Sequence, residues 1–113
     1  MQRQFRLTRS TDFKRVRRDG KSNAHPLIVL VALENQLSIT RVGVTAGKRV
    51  GNAVKRNRAK RLMRAAARAL HPTIKQGYDI IIIARQPIIQ SKMPQVRAAL
   101  QGLLERAQLI EDV

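Results

Sequence analysis

The chain has 113 residues, 43% of them apolar, and carries 23 Lys or Arg against 7 Asp or Glu, for a formal net charge of +16. That length and apolar content suit one folded domain over residues 1–113 with a modest core, and argue against disorder of the whole. With no Cys there are no disulfides or thiolate metal sites. The longest apolar runs, Leu27–Leu33 and Ile80–Ala84, fall far short of the roughly 20 residues a membrane span needs. A cytoplasmic protein with no membrane partner is expected.

Taken in order, the chain predicts alternating helices and strands. Residues 1–6 read as a frayed terminus. Ser10 can cap a short helix through about Asp19, with Phe13 and Val16 inward and Gly20 at its end. Leu27–Leu33 is a nearly continuous apolar strand, turned by Glu34–Ser38 into an alternating strand over Ile39–Ala46. A helix from about Asn52 to Leu70 is closed by His71-Pro72. Gly77 opens a strand at Ile80–Ile83, whose β-branched run implies burial on both faces. Ser91 caps a last helix carrying Met93, Val96, Leu100, Leu103, Leu104 and Ala107 at helical spacing, and residues 109–113 read as frayed. The order is α-β-β-α-β-α, an α+β class with helices packed on a sheet.

The charge is not spread evenly. Between Glu34 and Asp79 there is no acidic residue, and 11 Lys or Arg fall in that stretch. A solvated structural helix intersperses Glu with Lys, because i,i+4 opposite charges stabilise it and like charges destabilise it. Omitting every acid requires a partner that supplies the missing negative charge, and a nucleic acid does so through its phosphates and released counterions. At about 100° per residue, Arg56, Lys60, Arg64 and Arg68 form one stripe, flanked by Asn57 and Arg61. Val54, Leu62, Ala65, Ala66, Ala69 and Leu70 gather on the arc expected to face the core. Arg58 points towards the apolar side, where its stem can snorkel.

Catalytic sites are hard to find. Gly43-Val44-Thr45-Ala46-Gly47-Lys48-Arg49 is one residue short of a phosphate-binding P-loop and has Arg where the Mg²⁺-binding hydroxyl belongs. His25 and His71 have no Cys to complete a zinc site; His71 is placed to meet the last carbonyls of the basic helix. Asp12, Asp19 and Asp79 are scattered, and Asp12 suits the first turn of its helix. A protein-only nuclease would need clustered acidic metal ligands. A pure RNA-binding module, such as a small ribosomal or RNA-chaperone protein, shares the basic footprint.

The spacing of Lys48, Gly51-Asn52-Ala53-Val54, Arg56-Asn57-Arg58, Lys60-Arg61 and Arg64 resembles the signature of the protein subunit of bacterial ribonuclease P. The likeness extends to Leu7–Phe13 (LTRSTDF), Arg41-Val42-Gly43-Val44 and Tyr78–Arg85 (YDIIIIAR), in the family's order over roughly residues 5–108. Four parts in register are more specific than any single basic run. The resemblance implies an α/β sandwich with the basic helix in a left-handed β-α-β crossover, against the usual right-handed rule. It implies no catalytic residue in this chain and no cofactor bound by it alone. The partners implied are the ribonuclease P RNA, which does the chemistry with Mg²⁺ held mainly by that RNA, and the 5′ leader of precursor tRNA; no protein partner is required.

Carried over residue by residue, the resemblance gives Lys48, Arg49, Asn52, Arg56, Asn57, Arg58, Lys60, Arg61 and Arg64 as RNA-binding, and Arg68 continues the stripe. It gives a leader groove between the first helix and one sheet face, with Phe13, Arg17, Ile28 and Val31. Arg17, Ile28 and Val31 stand where the family often has aromatics, so this groove is expected to rely on charge and apolar contact more than on stacking, which is worth roughly 1–3 kcal/mol per base. For Phe13, core packing is the competing role.

Overall fold

The computed structural model describes residues 1–110, so the reading of 111–113 as a frayed end lies outside the described residues. Three helices, α1 (Ser10–Asp19), α2 (Ala53–Leu70) and α3 (Met93–Arg106), pack on four strands, β1 (Lys21–Ala24), β2 (Ile28–Glu34), β3 (Arg41–Thr45) and β4 (Tyr78–Ala84). The sheet order is β1-β2-β4-β3. β2 pairs antiparallel with β1 and β4, whereas β3 runs parallel to β4 and is joined to it through α2.

Strand alternation sorts the sheet into two faces. Ile28 and Leu30 of β2, Val42 of β3, and Ile80 and Ile82 of β4 enter the main core with Met63 and Ala66 of α2 and Leu100, Leu103 and Leu104 of α3. Val31 and Ile81 point to the other face, where Leu7 and Val16 complete a small second core. The β-branched run in β4 is buried on both sides, as its composition demands.

Several local expectations shift. β1 has no apolar pattern, since it is an edge strand with largely exposed side chains. Ser10 is the first helical residue of α1 rather than its cap; Arg9 precedes it and offers no capping side chain. At α3, Lys92 takes the cap position and its N–H donates to Gln95 Oε1 at 2.7 Å, one residue later than Ser91. The amino-terminal segment is held rather than frayed. Arg3–Phe5 form a 3₁₀ turn, Leu7 N–H donates to the Val42 carbonyl at 2.9 Å, and the Phe5 ring lies 4.5 Å from that of His71. The His71 backbone N–H donates to the Ala67 carbonyl and so closes α2 as expected, while its side chain turns away from the helix end and donates from Nε2 to the Thr40 carbonyl at 2.9 Å. At the other end Leu109 is buried and Ile110 bridges to Ile74.

The largest correction concerns the roll of α2. Its buried residues are Ala59, Met63, Ala66, Ala67 and Leu70. Val54, expected inward, is 74% exposed, and Ala69 is exposed as well. The core stripe is turned by about a quarter of the helix circumference, because small alanines let α2 lie close against the sheet while Leu62 and Ala65 sit at the border. Composition cannot choose among alanines of equal hydropathy; packing against β3, β4 and α3 does.

Candidate nucleic-acid interface

The rotation of α2 decides which basic residues face outward. Asn57, Arg61, Arg64 and Arg68 are exposed at i, i+4, i+7 and i+11, with Val54 one turn ahead of them. Arg56 and Lys60 stand at the edge of the buried stripe and are half-covered. Arg58 is on the opposite flank, where Nη1 donates to the Ile89 carbonyl at 3.3 Å and Nη2 to the Ser91 carbonyl at 2.9 Å. Its guanidinium thus ties α2 to the segment leading into α3, which leaves less of it for an external anion.

The entry to α2 is built locally. Val50 is buried and anchors a 3₁₀ turn, Lys48–Val50, that leaves Lys48 and Arg49 exposed. Gly51 follows at φ 138, a left-handed backbone that favours glycine. Asn52 Oδ1 accepts the Lys55 N–H at 3.0 Å, which makes Asn52 the cap of α2. Val50, Gly51 and Asn52 are therefore scaffolding that aims the basic residues on either side of them.

On the opposite face of the sheet, cross-strand register lays out three rows. Leu33, Asp79 and Arg41 form the first; Val31, Ile81 and Gly43 the second; Ala24, Val29, Ile83 and Thr45 the third. α1 covers the first two. Its Arg15 reaches Asp79, Val16 is fully buried, and the Phe13 ring lies on Gly43, where an added Cβ would stand 2.5 Å from the ring. Glycine is required there by this close approach. The third row stays open as a shelf of half-covered Val29, Ile83 and Thr45 ending at exposed Ala24. Phe13 and Arg17 project from α1 on roughly the opposite side from Arg15, so they border this shelf.

Ile28, expected in the same groove as Val31, is fully buried in the main core on the far face. Residues three apart in a strand cannot share a face, and Val29 occupies the place assigned to Ile28. Val31 is on the correct face but lies buried beneath α1, with 3% exposure. Phe13 is half-buried against Leu7, Val16, Val31 and Ile81, so one side of its ring packs in the small core.

The two surfaces meet at the outer edge of β3. A cleft of about 500 Å³ opens there between the amino-terminal segment, α1 and α2, lined by Arg6, Thr8, Phe13, Val44, Arg64 and Arg68 among others. Arg6 and Thr8 escaped the sequence reading, because nothing in a short polar segment says that it will dock beside β3. Val29 and Ile83 could have been found by carrying the period-2 alternation through both strands.

Acidic groups keep away from this surface. Asp79 is fully buried, and its carboxyl is held below the usual carboxylate range: burial pushes it upward, but hydrogen bonds from Arg41, Asn35 and Arg15 outweigh that. Those same bonds leave it no free lone pair for a cation. Among the described residues no three His, Cys, Asp or Glu side chains gather as a metal site, and no helix is long and apolar enough to cross a membrane.

Together these features define a small basic α+β protein with a one-sided cationic helix joined around a sheet edge to an apolar shelf. A family model described as Ribonuclease P matches residues 1–108. The ribonuclease P protein component of Symbiobacterium thermophilum is 41% identical over 112 residues, covering 98% of this chain and 97% of the relative. That of Roseiflexus castenholzii is 40% identical over 112 residues, covering 98% and 92%. The RNase P protein of Staphylococcus aureus, solved at 2.0 Å, superposes with a TM-score of 0.84 at 31% identity over 95% of this chain and 98% of that one. The RNase P protein of Thermotoga maritima gives 0.81 at 30% identity over 95% and 98%. The chain belongs to the ribonuclease P protein family, and its four-stranded, three-helix α+β fold is that of the solved members.

Proposed function

We propose that this chain is the protein subunit of a ribonuclease P, that it binds the catalytic RNA and the 5′ leader of precursor tRNA, and that it assists Mg²⁺-dependent removal of that leader. The observation that carries the proposal is the continuity of two unlike surfaces. An acid-free cationic stripe on α2 suits structured RNA, whose phosphates take bidentate Arg. The shelf beside Phe13 and Arg17 suits a single strand, whose unpaired bases offer flat apolar faces next to a charged backbone. The cleft at the β3 edge joins them, so the catalytic RNA can lie on the stripe while the leader of a bound precursor tRNA crosses the adjoining shelf.

Roles follow from position. Asn57, Arg61, Arg64 and Arg68 contact the catalytic RNA directly, with Lys48 and Arg49 extending the contact at the helix entry. Arg56 and Lys60 reach it from the flank. Asn52 and Arg58 act chiefly by holding α2 in place. Phe13 and Arg17 meet the leader, with Val29 and Ile83 as the floor. The Mg²⁺ ions would be held by phosphate oxygens of the RNA subunit, where they would supply activation of water and stabilisation of the leaving oxygen. The protein's share is affinity for the substrate, which alone carries a leader.

Reconstitution tests the reading. Precursor tRNA stays intact with the protein and Mg²⁺ alone, and is cleaved at low Mg²⁺ once a ribonuclease P RNA is added, faster than with that RNA by itself. Turnover by rigorously nuclease-free protein, or no gain over the RNA alone, overturns it.

A further inference from the structure

Among the described residues Asp79 is the one buried acidic side chain, in a chain of net charge +16. Buried ion pairs are a poor source of stability, because desolvating the ions offsets their attraction and apolar groups of similar size often do as well. What a buried carboxylate does supply is direction. Oδ1 of Asp79 accepts from Asn35 Nδ2 and Arg41 Nε, each at 2.9 Å; Oδ2 accepts from Arg41 Nη2 at 2.7 Å and from Arg15 Nη2. Asn35 in turn donates to the Ile39 carbonyl at 3.0 Å and accepts the Leu37 N–H at 2.8 Å. One carboxylate therefore binds α1, β3 and the turn between β2 and β3.

For α1 this link has no substitute. Arg15 to Asp79 is the single hydrogen bond from α1 to the sheet among the described residues; the other contacts are apolar, through Phe13 and Val16. Apolar packing is non-directional and leaves a ten-residue helix free to roll on its bed. We propose that Asp79, acting through Arg15, is a positioning residue for substrate: it fixes the roll of α1 and so sets where Phe13 and Arg17 stand over the shelf. The inference rests on the leader groove proposed above.

The test uses the reconstituted holoenzyme and the ratio of its affinities for precursor and mature tRNA. Arg15→Gln leaves Asp79 paired with Arg41 and Asn35, so the fold persists, as circular dichroism will confirm. The ratio falls by roughly fivefold, short of the roughly hundredfold loss that a full 1 Å misplacement can cause. Arg15→Lys keeps a charge within reach of one carboxylate oxygen and lies between Arg15→Gln and wild type. Affinity for the catalytic RNA is unchanged, because α2 is untouched. The salt dependence of precursor binding is also unchanged, because Arg15 is already neutralised by Asp12 and Asp79. A wild-type ratio in folded Arg15→Gln overturns the positioning role; if Phe13→Ala with Arg17→Ala still lowers the ratio, the groove itself stands. A wild-type ratio in that double variant as well overturns the groove and the positioning role together. A salt slope flattened by about one unit in Arg15→Gln makes Arg15 a direct phosphate contact and also overturns the proposal.

Discussion

The two faces of the sheet are built on different principles. On the α2–α3 face the core is broad, drawing on two long helices and three strands, and α2 can carry a stripe of uncompensated Arg because its other side is locked in place. On the α1 face the apolar core among the described residues is just Leu7, Val16, Val31 and Ile81, and one buried carboxylate holds the helix. The contrast shows how a strongly basic domain divides its labour. Apolar area supplies stability where charge must be displayed, while a directional polar latch supplies geometry where an apolar shelf must stay open.

The sharpest test of this division is a cavity in the broad core. Met63→Ala removes a fully buried side chain beneath the basic stripe, and chemical denaturation is expected to show a loss of about 2–5 kcal/mol. A loss below about 1 kcal/mol would mean that α2 is not anchored as described.

On the thin face the most sensitive point is Gly43. Its added Cβ meets the Phe13 ring at 2.5 Å and the Leu7 carbonyl oxygen at 2.9 Å, and the latter is backbone and cannot swing aside. Gly43→Ala is expected to cost about 1–3 kcal/mol and to shift Phe13, read by denaturation and by a changed Phe13 environment in NMR. Wild-type stability with an unmoved ring would break the packing assignment.

Acid distinguishes the faces next. The Asp79 carboxyl is depressed in the fold, burial opposing it but Arg41, Asn35 and Arg15 prevailing. Its contribution is therefore full above the ordinary carboxylate value and is lost as pH falls below about 4. Wild-type stability is expected to decline over that window, and Asp79→Asn to start lower at neutral pH and decline less. Parallel pH profiles for the two proteins would remove Asp79 from the account.

The smallest effects separate display from support within α2. Arg61→Ala is expected to leave stability nearly unchanged and to flatten the dependence of log K on log[salt] for the catalytic RNA by about one unit. Arg58→Ala, which loses hydrogen bonds to the Ile89 and Ser91 carbonyls, is expected to lower stability by about 1 kcal/mol with a smaller change in slope. The reverse pattern would exchange their roles.

Much of this protein follows from the sequence because it depends on local or periodic signals. The order of long helices and strands, the two-sided burial of β4, the acid-free stretch and the family motif are all properties of neighbours in the chain. Other features are relations between distant segments, and only the tertiary structure decides them. The roll of α2 turns on which alanines meet the sheet, which hydropathy alone does not rank. Edge strand β1 has no apolar pattern because it pairs through its backbone alone. Ile28 lies on the far face through strand parity, which the pattern contained, but that Val31 lies covered and Val29 open depends on where α1 comes to rest. Asp79, unpaired in sequence, finds Arg15 at a separation of 64 residues and Arg41 at 38, because parallel pairing of β3 with β4 brings Arg41 beside it and α1 packs across β2 and β4.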